Sequence, residues 1–271
     1  MNQKICIYSF YYKKTPIPVE NDLYIPVMVG NSLNPNTIGM TGDDTGISIS
    51  EKNKYFSELT GIYWVWKNTR QDITGCCHYR RYFSVNEEEP LDFKLKRILY
   101  WLSGLYKKRY GLIYTSNIRR FKKKVLSESE IRQIFKSYDA ILPQKRKLNY
   151  SVEEHYLRYH NSSDLIIIYN ILVRSHPEYL NAFNKMLKED SLYANNMFIL
   201  PSEHFHRFME WWFSVLFEFE RQIDLKNYRD YQERVLGFVA ERLLTTWFLH
   251  QHLKIMELPV IYYKSLKNTG V

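Results

Sequence analysis

The chain has 271 residues, room for one large domain or two small ones, and 45% hydrophobic with 16% aromatic content is ample for a substantial core. Three cysteines, two of them adjacent at Cys76 and Cys77 inside an apolar run, exclude a disulfide framework and imply a reducing, cytosolic compartment. Met1 to Cys6 has no basic stretch leading into an apolar one, so no secretory signal is expected. Runs such as Leu165 to Val173 fall short of the roughly 20 residues that span a bilayer. The net charge of +9 is uneven: Leu91 to Lys124 holds eleven basic residues and one acid, Asp92, leaving the rest near neutral.

Taken in order, Lys4 to Phe10 alternates as a first strand, and Glu20 to Gly30 reads as a second, with Pro26 placing it at an edge or a strand end. Asn31 to Gly46 is a polar loop. Tyr55, Phe56, Leu59, Ile62, Tyr63 and Trp66 then recur at helical spacing. A short buried strand follows, Ile73 to Cys77. Glu87 to Pro90 is an acidic turn. Leu91 to Lys124 has the pattern of an amphipathic basic helix, either interfacial or packed by its apolar face on its own domain. Ser127-x-x-Glu130 and Ser151-x-x-Glu154 are capping boxes; the first opens a helix to Lys136, and the second a helix carrying His155, with His160 just beyond. Tyr138 to Pro143 is a buried strand. Asp164 to Arg174 is an apolar helix expected to be central, and Pro177 fits the first turn of the next. Asn195 to Leu200 is a short strand, Ser202 caps a long helix, Tyr231 to His250 forms another, and Lys254 to Tyr263 closes with a strand. Alternating strands and helices make the class α/β, one domain (1–271) with a basic insertion at about 91–124.

The strand Ile73 to Cys77 empties into His78-Tyr79-Arg80-Arg81. Open α/β sheets bind ligands at the carboxyl ends of their strands, and guanidinium groups offer planar forks of donors to phosphate or carboxylate. Two readings stand side by side. In one, Arg80 and Arg81 make surface ion pairs and His78 is a satisfied core histidine. In the other, these residues with Lys52 and the neighbouring aromatics form a site for an anionic group.

The same stretch resembles a glycosyltransferase-like family of bacterial capsule and O-antigen gene clusters, long known only as a domain of unknown function. That family includes the galactofuranosyltransferase domain of a bifunctional O-antigen polymerase. The resemblance rests on Ser50-Glu51-Lys52-Asn53, Glu58-Leu59-Thr60-Gly61, Tyr63-Trp64, Trp66-Lys67-Asn68 and Cys77-His78-Tyr79-Arg80-Arg81-Tyr82-Phe83. It continues in Leu23-Tyr24 with Pro26-Val27, in Tyr138 to Pro143, in Asn195-Asn196-Met197-Phe198 and in Asp230-Tyr231-Gln232 with Arg234-Val235. It departs where the family has Asp-Asn-Ile-Ser and this chain has Ile47-Ser48-Ile49-Ser50.

The resemblance implies a GT-A-like, Rossmann-like nucleotide-sugar transferase fold. It implies a UDP-sugar donor, galactose in pyranose or furanose form, a polyprenyl-linked glycan acceptor and inversion of configuration. Enzymes of that fold usually hold a divalent cation through Asp-x-Asp to neutralise the diphosphate. No Asp-x-Asp occurs in this chain, and the basic string His78-Tyr79-Arg80-Arg81 stands in the expected place. His204 and His206, and His250 and His252, lie two apart on helices and point away from each other. No metal and no cofactor are therefore expected. Donor contacts are assigned to Lys52, Glu58, His78, Tyr79, Arg80 and Arg81, and sugar or acceptor contacts to Trp64 and Asn196. A carboxylate base is also needed; Asp230 ranks first and Glu233 second.

Two other classes fit parts of the pattern. A nucleic-acid module could use the aromatics interleaved in the basic segment, although confinement of charge to one segment argues against nucleic acid. A non-catalytic subunit would bind the UDP-sugar without turnover. For the transferase, Leu91 to Lys124 is expected to contact an anionic membrane surface, holding the protein on the inner face of the plasma membrane.

Overall fold

A computed structural model describes residues 3–19, 21–35, 39–85 and 112–264. Among them the strands are β1 (Ile5–Tyr11), β2 (Tyr24–Met28), β3 (Thr41–Gly42), β4 (Ile73–His78), β5 (Arg81–Phe83), β6 (Leu112–Thr115), β7 (Ala140–Pro143), β8 (Arg146–Lys147), β9 (Ser191–Leu192), β10 (Phe198–Pro201), β11 (Ile255–Leu258) and β12 (Val260–Tyr263). The helices are α1 (Asn53–Phe56), α2 (Leu59–Asn68), α3 (Ile118–Lys124), α4 (Glu128–Ile134), α5 (Val152–Tyr159), α6 (Ser163–Ser175), α7 (Leu180–Lys188), α8 (Ser202–Gln222) and α9 (Val235–Gln251).

The main sheet runs β11-β7-β10-β4-β1-β2-β3, with β5, β12 and β6 branching from β4. β1, β2, β3 and β4 are mutually parallel, and β10 alone along this path runs against its neighbours. β1 is buried along its whole length, as a central parallel strand covered on both faces must be. Its side chains alternate: Cys6, Tyr8 and Phe10 join a large core with α2 and α5–α9, whereas Ile5 and Ile7 join a second core with Phe121, Ile131 and Leu258. α2 lies close on the first face because it carries Gly61; a Cβ there would sit 2.5 Å from the Phe10 ring.

The α/β class and its mostly parallel sheet agree with the sequence pattern. Several boundaries differ. The helix expected across Tyr55 to Trp66 is broken at Ser57, whose φ of 51° is left-handed. Ser202 is the first residue of α8 rather than its cap, and no side chain caps that helix. Asp230–Arg234 is a separate 3-10 turn ahead of α9. The closing strand splits at Pro259 into β11 and β12, which pair with β7 and with β5 and β6. α6 is not central: Ile166, Tyr169 and Val173 lie on an exposed face.

The basic insertion is also not one helix. Leu112–Thr115 is a strand parallel to β12, and α3 turns the buried Phe121 into the second core, with Lys122, Lys123 and Lys124 in its last turn. The remainder of the expected insertion, up to Gly111, lies outside the described residues. No helix among the described residues is long and apolar enough to cross a membrane.

Candidate active site

The strand order reverses direction at β1. β2 and β3 extend to one side and β4 lies on the other, so the carboxyl ends of β1 and β4 flank the point at which open α/β sheets form a ligand crevice. The residues that emerge there are Tyr11 and Tyr12 from β1 and His78, Tyr79 and Arg80 from β4. The Tyr12 and Tyr79 hydroxyls are 3.4 Å apart and their rings meet edge to face. The Arg80 guanidinium carbon lies 5.1 Å from the Tyr79 ring centre and 4.9 Å from that of Tyr262, so it is packed between two aromatic faces. Its Nε is buried without a hydrogen-bond partner. Arg81 lies 5.5 Å from the Tyr262 ring, and burial followed by the Arg80 charge lowers its pKa. Two guanidinium groups held this close leave a strong positive field at the strand end.

His78 bonds through Nε2 to the Asn195 carbonyl oxygen at 2.6 Å, and burial lowers its pKa to about 4, against the raising effect of Glu58. At neutral pH it is an uncharged donor. The Glu58 carboxylate accepts from the Asn196 amide at 2.8 Å and faces Arg234 at 3.5 Å. Burial pushes this carboxyl up, but His78, Arg234 and the Asn196 amide outweigh burial and hold it below its ordinary value. On the other side, the Asn195 N–H donates to Glu241 at 2.7 Å, and Glu241 pairs with the buried Arg242 at 3.3 Å. The Asn195-Asn196 turn is thus gripped by two carboxylates. The Asn196 side-chain oxygen is buried and unpartnered.

Backbone strain gathers at this network. Among the described residues five non-glycine positions have positive φ: Ser57, Asn195, Asn196, Asp230 and His252. Three of them touch the network directly. Ser57 Oγ accepts from Arg234 at 3.0 Å, Asn195 holds His78, and Asn196 holds Glu58. Asp230 opens the turn that carries Arg234. Such conformations cost on the order of 1–3 kcal/mol each and concentrate where function requires them.

Beside this network a cavity of about 500 Å³ opens at the ends of β1 and β2, lined by Tyr12, Lys13, Lys14, Gly30, Asn34 and Asn53 among others. Gly30 (φ 67°) is required, because a Cβ would lie 2.7 Å from the Asn53 side chain. The loop is anchored by Asp43, which is fully buried and accepts from the N–H groups of Gly30 (3.0 Å) and Asn31 (3.1 Å) and the hydroxyls of Ser50 (2.5 Å) and Thr60 (2.6 Å).

The structure therefore brings together Glu58, His78, Tyr79, Arg80, Arg81 and Asn196. It uses others elsewhere. Lys52 is paired with Glu220 at 2.8 Å and lies over the Phe56 and Phe217 rings. The Trp64 indole donates to the Thr45 carbonyl at 2.8 Å and pins that loop. Glu233 pairs with Lys54 at 3.1 Å. Asp230 is exposed, two residues beyond the buried Tyr228. Tyr12, Tyr262, Asn195, Arg234 and Glu241 join the site without having been assigned to it from sequence. The doublet Asn195-Asn196 carried a usable signal, since asparagine tolerates the left-handed region better than other side chains. Among the described residues no group of three or more His, Cys, Asp or Glu side chains is placed to hold a metal ion.

Residues 6–252 match the family described as Domain of unknown function (DUF4422). A search of curated proteins finds no match. Among solved structures, the chain is similar to one titled the apo structure of the bifunctional glycosyltransferase WbbM, with a TM-score of 0.84 and 29% sequence identity. The match covers 96% of this chain and 45% of that one, so the chain spans under half the length of its structural relative. The fold is GT-A-like by this similarity.

Proposed function

The chain belongs to the DUF4422 family, and from that premise we propose that it is a glycosyltransferase acting on a nucleotide sugar. The donor is a UDP-hexose, galactose in pyranose or furanose form, and the acceptor a lipid-linked polysaccharide of capsule or O-antigen synthesis. The observation that carries this reading is Arg80, clamped between Tyr79 and Tyr262 beside Arg81, at the strand end next to the cavity. The nucleotide occupies the cavity, and its diphosphate lies against Arg80 and Arg81.

Transfer is a direct displacement with inversion. An acceptor hydroxyl oxygen bonds to the anomeric carbon as the bond from that carbon to the phosphate oxygen breaks. The electron pair leaves with UDP, and the hydroxyl proton passes to a carboxylate. Two guanidinium groups stabilise the departing diphosphate, a role that a divalent cation fills in other sites. The reaction is proposed to need no metal. Asp230 is the proposed base: it is exposed, whereas Glu233 is held by Lys54 and Glu58 by Asn196 and Arg234. The His78 ring, uncharged at neutral pH, keeps the Asn195 turn in place.

Contact with the anionic inner leaflet through Leu91 to Lys124 belongs to the same proposal, supported by the basic last turn of α3. A thermal-shift screen of nucleotide sugars, with and without EDTA, tests donor class and metal dependence together. Stabilisation by UDP-hexoses in EDTA, followed by turnover without added metal, is the expected result. An absolute need for Mn²⁺ or Mg²⁺ would overturn the charge-replacement argument, and no response to any nucleotide sugar would overturn the reading itself.

A further inference from the structure

The turn before α9 presents an aromatic surface that the donor site does not use. Tyr231 is 63% exposed, a large ring left in water. Its back is covered: Phe238 lies 5.1 Å behind it, and Phe238 in turn lies 4.3 Å from the His160 ring. Tyr156 backs His160 at 4.6 Å. The stack is fixed in position by Gln232, whose side-chain oxygen accepts from His160 Nδ1 at 2.9 Å and whose amide donates to the Tyr159 carbonyl at 2.8 Å. Burial holds His160 well below its ordinary value, at about 4, so the ring behind Phe238 is neutral. Tyr159, 57% exposed, stands at the end of α5 beside His155.

The platform adjoins the reaction centre. Tyr231 is flanked by the left-handed Asp230 and lies 6.0 Å from the Arg234 guanidinium, which reaches Ser57 and Glu58. A flat, exposed, pre-positioned aromatic face bordered by polar side chains is complementary to a pyranose ring, which has an apolar face of C–H groups and an equator of hydroxyls. A nucleotide base would also stack, but the cationic cavity that suits a nucleotide lies at the ends of β1 and β2.

We propose that Tyr231, backed by Phe238 and His160, is the stacking platform for a hexopyranose ring of the acceptor, with Tyr159 marking the direction in which the glycan continues. The inference rests on the transferase reading for the word acceptor; the platform itself is a sugar-binding surface.

Saturation-transfer NMR with methyl α- and β-glycosides of galactose, glucose and mannose tests it, alongside a separate titration with UDP. In the wild type, ring protons of at least one glycoside should receive saturation. Tyr231→Ala should weaken that glycoside about tenfold, Tyr231→Phe and Tyr231→Trp should retain it, and UDP affinity should be the same in all four proteins. Equal glycoside contact in wild type and Tyr231→Ala would overturn the platform, as would UDP binding with no glycoside contact in the wild type. Glycoside contact dependent on Tyr231 in a protein that ignores UDP would support the platform and remove the transferase reading instead.

Discussion

The amide of Asn196 donates to the carboxylate of Glu58 at 2.8 Å, joining the turn before β10 to the start of α2 across 138 positions of sequence. This bond holds one of the two left-handed asparagines and gives a donor to a buried, ionised carboxylate that also faces Arg234.

Asn196→Ala is expected to leave that Glu58 oxygen without its donor. A buried polar group deprived of its partner costs about 1–3 kcal/mol, and alanine also tolerates a φ of 49° poorly. Urea unfolding should show a stability loss in that range. A variant as stable as the wild type would show that the turn is held by the Asn195 contacts alone.

Arg80→Ala should weaken UDP by roughly ten- to a hundredfold, in line with the 1.5–3 kcal/mol typical of a hydrogen bond to a charged group, and turnover should fall at least as far. Arg80→Lys should not restore it, since an ammonium lacks the planar fork of donors that a guanidinium keeps while lying over the Tyr79 and Tyr262 rings. Calorimetric titration with UDP reads the effect. Affinity and turnover within a few-fold of wild type would take Arg80 out of the diphosphate contact.

Stability should depend on pH through histidines. Burial lowers His78, His155 and His160 from 6.5 to about 4. The unfolded chain therefore takes up these protons near pH 6.5 and the folded protein only near 4. Between those values the unfolded state binds more protons, so stability is complete above pH 6.5 and is lost progressively on acidification. Glu58, held below its ordinary value, adds to the loss at the acid end, whereas Asp164, raised by burial, works against it. Scanning calorimetry from pH 7 to 4.5 should show a falling Tm; a constant Tm over that interval contradicts the assignment.

Asp43→Ala should affect the donor cavity from a distance. It removes the acceptor for two backbone N–H groups and two hydroxyls at once, so a loss of at least 2–3 kcal/mol is expected from roughly 1–3 kcal/mol per stranded group. Because Gly30 lines the cavity, UDP affinity should fall as well. At a temperature where the variant remains folded, unchanged UDP affinity would show that the loop does not shape the nucleotide site.

The local features of this molecule were legible in its sequence. Ile73 to Cys77 reads as a buried strand emptying into a basic aromatic string, and the structure ends β4 there, with Arg80 and Arg81 at the crevice. Periodicity and capping residues report φ and ψ over a turn or two, which is why the Ser127 box and the class of the fold could be read directly. The chain's partnerships could not. Lys52 looked like a donor contact beside its Ser-Glu-Lys-Asn motif, but its charge meets Glu220, 168 residues away. Leu112 to Thr115 looked like part of a basic helix, but it pairs with β12. Pairings of this kind depend on which strands become neighbours and which side chains then share a dry space. That is decided by burial of the whole apolar surface at once, and no window of sequence contains it.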